Sequence, residues 1–536
     1  MQRGMVVAPQ TDAAEVGARI LMDGGNAVDA AVATAFAQGV MDQMMCGIAG
    51  FGAGHVYLPK LGVHAVINFF SKAPLAVRPD MWADILEYET RDGFGFVLKG
   101  RVNDLGYQSV AVPGTIAGLH GLHSKYGRLP WADVVTPAAR IAETGYRVTP
   151  PVHNYWTTIE NMGRVEIIDR LRFSKPYASL FFGADGACLT PGATVKNPDY
   201  GRSLRTIAGE GPDAFYRGSI GKAIAADFAA NGGLLSAADL ESYEAEWTPP
   251  IWGEYRGQRI ASNPPPGCGA MLLRMLHILE HFDLKAIGHN TAEYIRIVAE
   301  AMKRAQVIKD RDIGDPDFVK IPAEQIFDRA AARADAEAIK RGEVAHVPRA
   351  TPATKEAADT THLCTIDSEG NTVSLTHTLG MQSGVITPGL GFMYNGAMAM
   401  FDPRPGRAQS LAPNKRRVSS MSPTIVFKGE APHLVLGAPG GSNIPMGVLQ
   451  VILNVIDHGM SAVEAVSAPR FSATGDAIDV ASRIPGYVCE ALGKMGYQTI
   501  RSVQSFIAAR VHAILIEDGR VTGGADPSTG GSVLAV

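Results

Sequence analysis

Asp359-Thr360-Thr361-His362 opens the stretch that decides how this chain is read. Behind it, Leu363 to Asp367 and Thr372 to Thr378 read as strands around the turn Ser368-Glu369-Gly370-Asn371. A hairpin centred near Glu369 and Gly370 pairs residues whose numbers sum to about 738 or 739. Thr378 therefore returns to within a residue of Thr360. A threonine hydroxyl is a poor nucleophile without a base beside it, and a cut before Thr360 would make its own α-amino group that base. Such amines titrate near pH ~8, so a useful fraction is unprotonated at neutral pH. The pattern points to an N-terminal-threonine hydrolase that cuts itself between Asp359 and Thr360. Thr378 would orient the nucleophile and carry a proton. The loose segment Glu343 to Asp359, rich in Ala, Thr and Pro, is the expected processing loop, because a self-cleaving bond needs a strained or mobile approach. Alone, the triplet is ordinary strand sequence, and threonines often face each other in plain sheets. Further motifs give it weight.

Pro439-Gly440-Gly441-Ser442 follows a strand-like run, His433 to Leu436. Successive glycines there leave N–H groups free to point at a developing oxyanion, although a plain turn reads the same way. Ser419-Ser420-Met421-Ser422-Pro423 offers hydroxyls just before a second strand-like run, Thr424 to Phe427, or simply a turn. A third such run is Ala513 to Ile516.

The 536 residues, 46% of them hydrophobic, suffice for several domains or one large α/β unit. A net charge of -4 and no basic stripe exclude a nucleic-acid partner. Five scattered cysteines, odd in number and without CxxC spacing, argue against a disulfide framework or a zinc site. His362 and His377 lack a metal-binding companion pattern, so no metal or cofactor is expected. No run of 18 apolar residues predicts a membrane span. A cytoplasmic protein is expected, or a periplasmic one if a leader has been removed.

Asp12 to Met22 reads as an amphipathic helix stopped by Gly24-Gly25-Asn26, and Ala27 to Val40 as a buried one. Gly47 to Gly54 precedes the strand-like His55 to Leu58 instead of following a strand and opening a helix. Close backbone packing is therefore expected there, not a dinucleotide loop. From about Pro113 to Lys340 the chain reads mainly as helices, with Ile295, Val298, Ala299 and Met302 at helical spacing.

In order, Gly24 to Ala31, Val112 to Gly118, Gly211 to Tyr216, Thr360-Thr361-His362, Pro413 to Arg416, Ser419 to Thr424 and Pro439-Gly440-Gly441 resemble the γ-glutamyltransferase family of N-terminal-nucleophile hydrolases. The resemblance covers almost the whole chain. It implies an α+β fold, a four-layer αββα sandwich, and autocleavage into a large subunit, 1–359, and a small one, 360–536. It makes Thr360 the nucleophile, Thr378 its hydrogen-bonding partner, and Gly440 and Gly441 the oxyanion hole. Ser419 and Ser420 would hold a glutamyl carboxylate. The departures are as informative. The family's carboxylate-binding arginine falls at Phe70, its amine-binding aspartate at Met400, and an asparagine beyond the second threonine at Gly380. The expected pocket floor is apolar, and the expected substrate is a small-molecule amide whose acyl group is not a standard γ-glutamyl. The segment Phe401 to Arg407 looks like the acylase branch and is too short for a long lid. A true glutathione hydrolase and an unprocessed, non-catalytic binding protein are the alternatives.

Overall fold

The computed structural model describes residues 4–90, 92–160, 162–347 and 360–536. Its centre is the expected hairpin. Strands Thr361–Asp367 and Thr372–Thr378 pair antiparallel, with Thr361 opposite His377 and His362 opposite Thr376. The Asp367 carboxylate fixes the turn by accepting from the N–H groups of Glu369 and Asn371, at 2.9 and 3.1 Å. Its other oxygen accepts from Ala27 N, tying the turn to the start of helix Ala27–Met41. Asn26 caps that helix and Asp29 answers at its third position, a reciprocal capping box.

Two antiparallel sheets face each other. The seven-stranded one runs, in spatial order, Ser532–Ala535, Gly4–Ala8, Thr361–Asp367, Thr372–Thr378, Phe51–Leu58, Val63–Phe69 and Glu246–Thr248. The six-stranded one runs Arg520–Gly524, His512–Glu517, Ala431–Gly437, Thr424–Lys428, Gln258–Ser262 and Ile251–Tyr255. Alternate residues of each strand point to opposite faces. Val6 and Leu363 thus join the core under the helices, while Met5, Val7, Cys364 and Ile366 meet Ile425, Val435 and Ile514 between the sheets. Helices Thr11–Met22, Ala27–Met41 and Thr115–Tyr126 cover the first sheet, and Gly269–Leu279, Ile444–Ile456 and Ala462–Ser467 cover the second. The result is the four-layer αββα sandwich. Burial on both sides explains why Ala27–Met41 is apolar all round and wholly buried.

The glycine run packs as expected, with its strand beginning at Phe51, four residues earlier than predicted. A Cβ on Gly50 would lie 2.2 Å from the Thr378 carbonyl oxygen, so only glycine allows this approach. The mainly helical middle contains, besides the short pair Tyr146–Arg147 and Thr194–Val195, three sandwich strands that the pattern reading passed over, Glu246–Thr248, Ile251–Tyr255 and Gln258–Ser262. Their signal was the turn Arg256-Gly257, where both residues take positive φ, 50° and 73°, as a two-residue hairpin requires. Of the expected processing loop, Ala345 N donates to Glu300 and Val347 N to Asp476. Its residues 348–359, including Asp359, lie outside the described residues. The cysteines are free; Cys46, Cys268 and Cys364 are buried, Cys188 and Cys489 half-buried. Among the described residues no helix is long and apolar enough to cross a membrane.

Candidate active site

Hairpin register carries Thr360 to Thr378. The Thr360 hydroxyl donates to Thr378 Oγ1 at 3.1 Å, and Thr378 Oγ1 also accepts from Gly380 N at 2.7 Å. Gly380, with φ of 69°, turns the chain so that its N–H faces back onto that hydroxyl. Thr360 itself has φ of 153°, a conformation that costs a β-branched residue on the order of 1–3 kcal/mol. It lies at the wall of a groove of about 750 Å³, shared with Asp42, Tyr155, Pro439, Phe506 and Arg510.

Pro439 leads directly into the two glycines. Gly440 and Gly441 have φ of 145° and 53°. A Cβ on Gly440 would lie 2.6 Å from the Ala509 backbone. Neither glycine N–H has an acceptor among the described residues. Both sit where a one-turn 3-10 segment, Gly441–Asn443, runs into helix Ile444–Ile456, whose positive end favours negative charge. Two unengaged N–H groups at a helix start suit an oxyanion.

Behind Gly441 is a second, small cavity of about 20 Å³. Ser420, Ser442, Met400, Phe94 and Arg417 line it. Ser419 is buried beside it in sequence, and its hydroxyl accepts from Met421 N at 3.3 Å. Met400 thus stands at a cavity wall. Phe70 does not: it is 1% exposed, packs in the helix-side core and lines neither cavity. Arg417, Lys309, Glu89 and Asp310 also line that cavity, so its wall is mixed and not wholly apolar. The sequence reading missed Arg417 because it follows Lys415 and Arg416 in what looks like a solvated basic run.

A second group went unnoticed. Gln38 Nε2 donates to Thr361 Oγ1 at 3.0 Å and to Gln10 Oε1 at 2.8 Å, and Gln38 Oε1 meets His377 Nε2 at 2.9 Å. Gln10 Nε2 in turn donates to Asp42 Oδ2 at 2.8 Å. Burial lowers His377 to about 3, so it is a neutral bridge here, although its Nδ1 lacks a partner. His362 is likewise held well below its ordinary range by burial, with Nδ1 2.8 Å from Thr376 Oγ1. Burial pushes the Asp42 carboxyl up to about 6. A raised acid favours the fold while protonated, so that contribution is lost as pH rises from its ordinary value through 6. Asp42→Asn keeps an acceptor for Gln10 and is expected to flatten the fall in Tm between pH 4 and 7. An unchanged slope would show that Asp42 does not titrate there.

A family model described as gamma-glutamyltranspeptidase matches residues 13–536. The acylase ACY 1 proenzyme of Pseudomonas sp. (strain V22) is 39% identical, over 100% of this chain and 94% of its own length. The glutathione hydrolase proenzyme of Escherichia coli (strain K12) is 36% identical, over 88% of this chain and 81% of its own length. Among solved structures, cephalosporin acylase from Bacillus halodurans superposes with a TM-score of 0.88 at 30% identity, covering 99% of this chain and 96% of that one. With the sandwich and its threonine hairpin, these matches make the chain an enzyme of the γ-glutamyltranspeptidase family, an N-terminal-nucleophile type of amide hydrolase.

Proposed function

We propose that Thr360 is the nucleophile of a self-processed acylase. A cut between Asp359 and Thr360 gives fragments of 359 and 177 residues (536 − 359 = 177) that stay together as one catalytic unit. The single observation that carries this reading is the hydroxyl pair Thr360–Thr378 at the groove wall, beside the unengaged Gly440 and Gly441 N–H groups. In the reaction, Thr360 Oγ1 bonds to the substrate carbonyl carbon, and its proton passes to the new α-amino group. The oxyanion rests on the two glycine N–H groups. The C–N bond breaks, and the amine leaves with the proton held by the α-amino group. Water then cleaves the ester, releasing the acid and restoring the threonine.

Relatives of this chain bear the names acylase and glutathione hydrolase proenzyme. With Met400 at the cavity wall and Phe70 in the core, neither aligned position supplies a charge for an amino-acid head. Acyl groups other than γ-glutamyl are therefore the favoured substrates. The free cysteines favour a reducing, cytoplasmic setting. A denaturing gel with sequencing of the smaller band tests the assignment. The expected reading is Thr-Thr-His-Leu. An active enzyme with the Asp359–Thr360 bond intact removes it.

A further inference from the structure

Gln38 is a polar side chain buried in the middle of helix Ala27–Met41, which is otherwise almost wholly apolar. Its Nε2 donates to Thr361 Oγ1 at 3.0 Å and to Gln10 Oε1 at 2.8 Å, which engages both amide hydrogens. Its Oε1 lies 2.9 Å from His377 Nε2. A carboxamide oxygen only accepts, so His377 carries its proton on Nε2. The polarity is fixed from the other end as well. Gln10 Nε2 donates to the Asp42 carboxylate, which leaves Gln10 Oε1 as the atom that accepts from Gln38. A buried amide engaged on every side holds its partners in one arrangement.

What Gln38 holds is the last rung of the hairpin before the hydroxyl pair. Thr361 and His377 face each other across the ladder, one residue in from Thr360 and Thr378. Alternate side chains of a strand take opposite faces. Thr361 and His377 therefore share the helix side with Leu363 and Leu375, while Thr378 and its bond to Thr360 belong to the other face. Gln38 bonds to neither reacting hydroxyl. It pins the residue beside each of them, one on each strand, from behind the sheet. Among the described residues it is also the only side chain hydrogen-bonded to Thr361. Peptide bonds tether Thr360 on both sides in the uncut chain. A cut at Asp359–Thr360 would make it a chain end, and terminal residues fray unless they are tied down.

We infer that Gln38 is a positioning residue for the nucleophile: by joining Thr361 to His377 it keeps the freed Thr360 hydroxyl against Thr378 during turnover. This rests on the reading of Thr360 as the nucleophile. Self-cutting takes place while Thr360 is still tethered on both sides, so it depends on the clamp far less than turnover does.

The test uses Gln38→Met, which keeps the length and removes the amide, and Thr361→Val, which keeps the shape and removes the acceptor. Turnover is read with acetyl, phenylacetyl and γ-glutamyl p-nitroanilides. The reactivity of Thr360 itself is read as the rate at which phenylmethanesulfonyl fluoride adds to the small subunit, followed by intact mass. Processing is read as the rate at which fresh precursor is cut. Each variant should lower kcat and the sulfonylation rate by about 10- to 100-fold, the cost of a reacting atom slightly misplaced, with KM little changed. Processing should slow much less. Thr361→Ser restores the acceptor and should recover most of what Thr361→Val loses. The combined variant should lose no more than Gln38→Met alone, because both changes cut one link. If Gln38 only supports the fold, Tm falls while kcat and sulfonylation of the cut enzyme stay at the wild-type level, and the inference is overturned. An equal fall in processing and turnover overturns it too. Both results leave the nucleophile reading standing. A wild-type chain that stays uncut, or is cut and inert to both kinds of probe, removes that reading and the inference with it. If the wild type is sulfonylated but cleaves no anilide, the sulfonylation rates decide. Should Gln38→Met fail to fold, Thr361→Val against Thr361→Ser carries the comparison.

Discussion

A chain carrying Thr360→Ala is expected to run as one uncut band and to release no amine from any anilide. The side chain lost is the group assigned both to attack the preceding peptide carbonyl and, once freed, to form the ester with substrate. Thr378 does not take over, because its hydroxyl has no α-amino group of its own residue to serve as base. The loss should be complete within the sensitivity of the assay, as removing a nucleophile costs on the order of 10⁴-fold or more. Thr360→Ser keeps a hydroxyl and should still process, more slowly. Gel, terminal sequencing and turnover are read together. A cut or active alanine variant would falsify the nucleophile assignment.

Gly441→Pro carries the second largest expected effect. It deletes one N–H aimed at the oxyanion, a loss of about 10²- to 10³-fold in kcat. Gly441 also has φ of 53°, which proline cannot adopt, so circular dichroism and Tm must first show a folded chain. Gly441→Ala is the gentler companion. It keeps the N–H, and its Cβ would meet the Phe94 ring at 3.2 Å in a strained backbone, so its loss should be smaller. Proline turning over as fast as alanine would remove Gly441 from the oxyanion hole.

What the sequence disclosed depended on range. The hairpin needs only a turn and two strands close together in the chain, so counting from Gly370 brought Thr360 to Thr378 before any coordinates. The glycine pair and the serine run were legible for the same reason, each being a local backbone device next to a strand. Arg417 was not. Its burial is decided by Phe51 and Phe94, which arrive from remote parts of the chain, and nothing in Lys415-Arg416-Arg417 says which of three cations will be left without a hydrogen-bond acceptor among the described residues. Lys415 donates to the carbonyls of Ala408 and Ser410, and Arg416 binds Asp315, Asp317 and Glu246. The Gln10–Gln38–Asp42 chain is equally non-local. Phe70 failed for a different reason. A position aligned to a binding residue keeps its place in the chain, but a bulky apolar side chain there turned inward and joined the core.

The order of strands in the two sheets has one more consequence. Strand Gly4–Ala8 lies between Ser532–Ala535 and Thr361–Asp367, and Gln258–Ser262 lies against Thr424–Lys428. A break at Thr360 therefore yields two polypeptides woven through each other, with main-chain hydrogen bonds of one completed only by the other. They cannot drift apart while folded, so the nick costs the native molecule no cohesion. Recovery after unfolding is another matter. A single chain closes its own loops, whereas two pieces must meet by diffusion, and their return depends on concentration. Such a break would make refolding a two-body event, and the lifetime of the cut protein would be set by how slowly it comes undone.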